Sequence, residues 1–535
     1  MLPGTRELAT HRVENQPEPQ APPDLWSSDR ILQRYGASFG ARLETLAAAG
    51  ARFADPALWS AAEDARRDSP RLVAWGRDGA RLDEVRFNPG YHDLLRAAQD
   101  AGYVSAAWDG APGAHATHAA LVYMISQVEP GICCPLTMSY AAVPALSADA
   151  ALSSIWRPRL TAGGYDPGIA PVDAKRNVTL GMAMTEKQGG SDVRSNATRA
   201  VPDGEVYRLT DHKWFCSAPM SDGFLTLAQS PGGLTCFLLP RWLPDGRNAI
   251  RVVRLKDKLG NRANASAEIE LEGAMAHRLG DEGAGVRTII EMVHHTRLDT
   301  ALAPAGLMRA ALRVAVHWCE ERTAFQRRLI DQPLMRRVLA DLVLDTEAAL
   351  ALGLRVAAAF DSPAERAFAR IAVALAKFHA NKRALWVIAE AMECLGGIGY
   401  VEDTLLPMLY REAPLNGIWE GSGNVICLDA LRTLARVPDA RDALRSELDA
   451  ARGAHRIYND ALEDLSTHLS RPPPESEARR HAERLAVMLS ASVLLRSAPA
   501  SVADAYVTTR LGTRGMAAGA IGDVNEDAIL ESFQS

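Results

Sequence analysis

"MAMTEKQGGSDV", residues 182–193, divides the chain into two textures. Ahead of it, from about 29 to 180, the sequence reads mainly as helices. "DRILQRYGASFGARLETLAAAGARF" and "HATHAALVYMISQVE" repeat apolar residues at helical spacing. From about 181 to 280 come β-rich runs: "EVYRLTDHKWFCSA", "GFLTLAQS", "LTCFLLPRW", "AIRVVRL" and "ASAEIELEG". Turn signals at Pro202-Asp203-Gly204 and Pro231-Gly232-Gly233 separate them, as for antiparallel strands. The dividing stretch brings glycines and hydroxyls after an apolar run, a composition whose backbone amides can approach a phosphate or a flat cofactor. Gly-Gly-Ser-Asp is equally an ordinary turn. The stretch is neither a Walker A loop nor the GxGxxG fingerprint.

Helices return at about 286. "VRTIIEMVHHTRLDTALAPAGLMRAALRVAVHWCEERTAF" has long helical periodicity, with Pro304 as a kink or a helix start. "LMRRVLADLVLDTEAALALGLRVAAAF" and "AERAFARIAVALAKFHANKRALWVIAEAMECLGG" follow, the latter stopping at Gly396-Gly397. Long amphipathic helices with short connections predict an antiparallel bundle. Beyond about 436 the chain is again helical, interrupted by "RPPPESEARR". The expected fold is mostly α with an inserted antiparallel β domain. Its parts are a helical domain at 1–180, the β domain at 181–285, a bundle at 286–435 and a helical extension at 436–535.

The 535 residues, 47% hydrophobic and 23% charged, have the composition of a soluble globular protein of several domains. A net charge of −6 gives no overall attraction to nucleic acid or an anionic membrane. The seven cysteines are scattered without a CxxC pair, which points to a reducing cytoplasm. The polar, proline-bearing start is unlike a signal peptide, and no apolar run is long enough to span a bilayer. Neither His294-His295 nor the His317/Cys319 pair belongs to a convergent set, so no metal is expected.

Four further segments carry candidate chemistry. "HKWFCSAPMSD" holds Trp214, which in a strand is more often core than a cofactor contact. "EERTAFQRRLIDQ" places Arg322 and Phe325 three residues apart, on one face or end of a helix. "AMECLGGIGY" turns on glycines after a helix. "NGIWEGSGNVICLD", residues 416–429, sets Glu420 between Trp419 and two glycines. Such a carboxylate is a helix cap, a surface charge or a base held against a flat ligand.

Taken in order, the five segments resemble the acyl-CoA dehydrogenase family. "MTEKQGGSD" is similar to its TEPxAGSD segment, "KWFCS" to KxWITN, "ERTAFQRRLIDQ" to ERxxFGxxxxxxQ, "LGGIGY" to LGGxGY, and "WEGSGN" to YEGT(S/N). "RLKDKLGNRANAS", the start "HRVENQPEP" and the long C-terminal part narrow the resemblance to the AidB branch, flavoproteins of the adaptive response to DNA alkylation.

The resemblance implies FAD, and a reaction in which an acyl-CoA gives its α-proton to a base and a hydride to the flavin. Glu420 corresponds to that base, and Arg297 to an arginine near the active site. FAD contacts would come from Met184, Thr185, Gly190 and Ser191, and from Trp214, Phe215, Cys216 and Ser217. Ile418, Trp419, Gly421, Ser422, Gly423 and Asn424 would flank the cofactor. Arg322, Phe325, Gln332, Gly396 and Gly397 would reach the FAD of a neighbouring subunit, which implies a homo-oligomer, usually a tetramer. Lys187-Gln188 and Cys216 depart from the family pattern, and a thiol is a weak donor where the family uses a threonine hydroxyl.

The branch also implies double-stranded DNA as a partner. Arg432, Arg436, Arg441, Arg445, Arg510 and Arg514 are the candidate contacts, although acidic residues of the same region match them in number. The alternative is a catabolic dehydrogenase of branched or aromatic acyl-CoA.

Overall fold

The computed structural model describes residues 4–470, 473–513 and 515–534. The first helices start where carboxylates cap them: Asp29 accepts from Leu32 N before Arg30–Ser38, and Asp55 from Ala57 N before Pro56–Arg67. Between them and the rest of the domain lies an antiparallel hairpin, Arg71–Trp75 with Arg81–Arg86, in a region expected to be helical. Its turn uses Gly79 at φ +80°, a conformation open to glycine. Two helices, α1 (Ala114–Ile125) and α2 (Cys133–Leu146), are buried almost all round, so neither shows an amphipathic stripe.

The β domain is one sheet of seven strands: β1 (Leu180–Ala183), β2 (Arg199–Asp203), β3 (Val206–Ser217), β4 (Gly223–Ser230), β5 (Gly233–Pro240), β6 (Ile250–Leu255) and β7 (Ser266–Leu279). They run β6-β7-β3-β2-β4-β1, with β5 joining β7 and β4. The expectation of a wholly antiparallel domain is corrected at one edge: β1 and β2 lie parallel to β4. Dozens of residues separate β1 from β4, long enough for the crossover that parallel pairing requires.

The bundle is formed by α3 (Gly285–Glu321), α4 (Pro333–Phe360) and α5 (Arg366–Leu395). Pro304 does not start a helix, because α3 runs through it unbroken. The carbonyl of Thr300, which Pro304 cannot serve, accepts Asn381 Nδ2 of α5 at 2.9 Å. A neighbouring side chain replaces the lost backbone bond. After α5 come α6 (Gly423–Arg436), α7 (Pro438–Asp449), α8 (Ala478–Ser497) and α9 (Ala500–Arg510).

One apolar core runs through both helical domains and the C-terminal extension, from Leu32 through Leu302 and Leu375 to Leu489 and Val507. The sheet has its own core around Leu209, Phe224, Phe237 and Ile269. No helix among the described residues is long and apolar enough to cross a membrane.

Candidate active site

Glu420 is neither a cap nor a free surface charge. It sits at φ +58° and is followed by Gly421 at φ +99°, so the loop makes a left-handed turn that costs a non-glycine residue about 1–3 kcal/mol. Contacts from α3 and α5 hold that turn. Thr296 Oγ1 donates to Glu420 Oε2 at 2.5 Å, and Arg297 Nε to the Glu420 carbonyl at 3.3 Å. Lys377 Nζ donates to the carbonyls of Asn416 and Gly421, each at 2.9 Å, and so pins both ends of the loop. Trp419 Nε1 donates to Asn416 Oδ1 at 2.8 Å.

Burial raises the Glu420 pKa, against the Thr296 hydrogen bond and the charges of Lys377 and Arg297. Burial pushes the Lys377 ammonium down to about 7. Arg297 and Arg370 share Asp429 of α6 at 2.7 Å each, which ties the helix after the loop to the bundle.

The sheet carries the other candidate segments. Trp214 N donates to the Thr185 carbonyl at 2.8 Å, and Asn196 Nδ2 to the Met184 carbonyl at 2.9 Å, so the two segments meet. Glu186, in the same loop, is buried against Lys213 at 2.7 Å. Phe215 is 47% exposed and Trp214 half-buried; Lys256 Nζ stands 3.2 Å from the Trp214 ring centre. Gly190 is half-buried against Thr185, where an added Cβ would meet Oγ1 at 2.6 Å, and Ser191 is exposed. Burial pushes the Cys134 thiol of α2 up to about 12, with Lys258 opposing and Glu420 adding to the rise, which relates this region to the base. Cys216 departs from expectation: its thiol is fully buried in the sheet core, and burial drives its pKa far up. The strand alternation turns it away from the open edge that Phe215 occupies.

Ile418 is 65% exposed, Ser422 and Gly423 are half-buried and Asn424 is exposed, all around the Glu420 turn. Arg322, Phe325 and Gln332 are elsewhere, on the connection from α3 to α4. There Arg322 donates to the Asn15 carbonyl and Gln332 to Ala324, while Phe325 is 93% exposed at φ +51°. Gly396 and Gly397 form an exposed turn where an added Cβ meets nothing within 4 Å.

A cleft of about 1220 Å³ lies away from Glu420, between the N-terminal arm, Trp59, Trp318 and Arg411. Among the described residues no cluster of three or more His, Cys, Asp or Glu could hold a metal.

The arginine candidates for DNA separate sharply. Arg432 and Arg436 are exposed on α6; Arg441 is half-buried beside Asp442 at 3.7 Å, and Arg445 is half-buried. Arg510 is a correction. Only 4% of its side chain is exposed, and it is held by Asp341 at 2.7 Å and Asp345 at 2.9 Å. It locks α9 to α4 and is not available to a phosphate. Arg514 lies outside the described residues.

Sequence reasoning missed Thr296, Lys377 and Asp429. Thr296 adjoins Arg297, and Lys377 is a lone charge in the apolar run "ALAKFHA", the pattern of a buried, partnered lysine.

A helical domain, a sheet and a helical bundle in this order, with a half-buried carboxylate in a loop tied to the bundle, is the arrangement of an acyl-CoA dehydrogenase. Residues 181–274 match the acyl-CoA dehydrogenase middle domain and residues 283–435 the C-terminal domain. Residues 15–167 match the N-terminal domain of the adaptive response protein AidB. The chain is 43% identical over 519 residues to the AidB protein of Escherichia coli (strain K12), covering 95% of each. Caenorhabditis elegans ACDH-11 in complex with C11-CoA superposes with a TM-score of 0.83 at 27% identity, over 94% of this chain and 95% of that one. A Bacillus anthracis acyl-CoA dehydrogenase complexed with FAD has the same fold, with a TM-score of 0.61 at 17% identity over 78% of this chain and 77% of that one. The chain belongs to the acyl-CoA dehydrogenase family, in its AidB branch. The family is FAD-dependent, and its members are oxidoreductases acting on a CH–CH bond.

Proposed function

We propose that the protein is an FAD-containing acyl-CoA dehydrogenase-like protein that keeps the proton-abstracting half of the reaction at Glu420, turns over slowly, and protects double-stranded DNA against alkylation. The observation that carries the reading is the Glu420 turn. It is a strained backbone held by Thr296, Arg297 and Lys377 so that one carboxylate is fixed, desolvated and made more basic.

The residues present fit FAD. Phe215 and Trp214 offer an open aromatic edge beside the hydroxyls of Thr185 and Ser217, and Lys256 and Arg254 share the single carboxylate Glu268, which leaves net positive charge beside that edge for an anionic cofactor. FAD, when bound, supplies the acceptor for the β-hydrogen and its electron pair. Met184, Thr185, Gly190, Ser191, Trp214, Phe215 and Ser217 would hold its ring side. Glu420 removes the α-proton of an acyl thioester, whose carbonyl its backbone N–H would polarise. Slow turnover follows from Cys216, whose buried thiol brings no hydroxyl donor to the cofactor. Arg322, Phe325, Gln332, Gly396 and Gly397 serve a neighbouring subunit of a homotetramer, a role that the exposure of Phe325, Gly396 and Gly397 supports. Anaerobic mixing with isovaleryl-CoA should bleach the flavin absorbance over minutes rather than milliseconds. Bound ligand without any bleaching sinks the dehydrogenase part.

The DNA reading draws on the adaptive-response relative and on Arg432 and Arg436, exposed one turn apart without an ion pair among the described residues. The competing catabolic reading predicts fast turnover with an electron-transferring partner and no affinity for duplex DNA.

A further inference from the structure

Gly423, three residues after the candidate base, opens α6 beneath two cations from different parts of the molecule. A methyl group there would lie 3.2 Å from Arg479 Nη1 and 3.5 Å from Lys382 Nζ. Lys382 belongs to α5, whereas Arg479 is the second residue of α8, in the C-terminal extension. Arg479 donates to Asn424 Oδ1 at 2.8 Å, and its guanidinium lies 5.6 Å from the ring centre of Phe378.

Neither cation pairs with a carboxylate among the described residues. Their neighbours do: Arg480 with Glu477, Arg484 with Asp464, Arg383 with Asp345. Two positive groups converging on one glycine repel each other unless an anion joins them. The backbone adds to the attraction, since the Ser422 side chain makes no cap bond to the first N–H groups of α6. An arginine and a lysine beside uncapped backbone N–H groups, at a glycine with no side chain of its own, are a donor set for a phosphate.

We propose that Arg479 and Lys382 form a phosphate-binding pair for a nucleotide cofactor, so that the C-terminal extension completes the small-molecule site. The ligand is the pyrophosphate of FAD or the phosphates of CoA. The inference rests on the proposed FAD and acyl-CoA site and extends it to residues outside the motif segments.

The test compares Arg479→Ala, Lys382→Ala and the double variant with Arg480→Ala, the ion-paired neighbour, as control. Melting curves establish that each is folded; Arg479→Lys, which keeps the charge, should retain most of the affinity. FAD affinity is read by flavin fluorescence on reconstitution, CoA affinity by calorimetry on the flavin-loaded protein, and duplex DNA affinity by anisotropy. The expected result is a loss of roughly tenfold per cation for one of the two nucleotides and none for Arg480→Ala. Loss in the FAD arm assigns the pyrophosphate; loss in the CoA arm with flavin retained assigns CoA. Unchanged nucleotide affinities in the double variant, or a fall confined to DNA, overturn the pair. Wild-type protein that binds neither nucleotide overturns the underlying site as well.

Discussion

Glu420 shows how much of a residue's chemistry its neighbours set. Thr296 and Lys377 both favour its ionised form, against burial, which favours the neutral one. If Glu420 is the base, activity rises with pH through an apparent pKa above the ordinary carboxylate range. Thr296→Val and Lys377→Met each remove a stabiliser of the anion, so each should move that limb to higher pH. A pH–rate profile checks both, and a limb shifted downward would contradict the assignment. Glu420 was legible in the sequence because its motif is local, an aromatic residue, a glutamate and two glycines in succession. Thr296 and Lys377 were not, because they lie over a hundred and over forty positions away and only the fold brings them to the loop.

At the scale of elements, two latches account for geometry that periodicity alone does not give. The first is Asn381 against the Thr300 carbonyl beside Pro304. Asn381→Leu leaves that carbonyl unpaired in the core and should cost about 1–3 kcal/mol in chemical denaturation. The second is Arg510 between Asp341 and Asp345. Burial pushes the Asp345 carboxyl up, but Arg510 and Arg383 outweigh it and hold it well below the usual range. With a depressed folded pKa, this latch contributes fully above the unfolded carboxylate range and weakens only as pH falls below about 4. Arg510→Ala leaves the buried Asp341 without its ion-pair partner and Asp345 with Arg383 alone, and should cost about 3–5 kcal/mol, seen as a lower Tm at pH 7 with duplex DNA affinity unchanged. Spacing put Arg510 on a helix face but could not tell which face is solvated. The order of helices and strands was readable from period and turn residues. The parallel edge of the sheet was not, because pairing partners distant in sequence leave no local signal.

At the scale of the whole molecule, the extension is continuous with the bundle: its Leu444, Tyr458 and Leu489 belong to the same core as Leu302 and Leu375. Between 436 and 535 twelve arginines face fifteen carboxylates, so any DNA contact is local rather than a field effect. Arg432→Ala and Arg436→Ala should each weaken duplex binding and reduce the slope of log affinity against log salt by about one; unaltered slopes would remove these two residues from the interface.

The most direct test of the central claim follows the α-proton itself. The flavin-loaded protein is incubated anaerobically with isovaleryl-CoA in D2O, and deuterium at the α-carbon is read by mass spectrometry. Wild-type protein should exchange that position, while Glu420→Gln, with its flavin retained, should be slower by about 10²–10⁴-fold. Equal exchange by the two proteins would contradict the account, because the carboxylate held by Thr296, Arg297 and Lys377 would then not be the base.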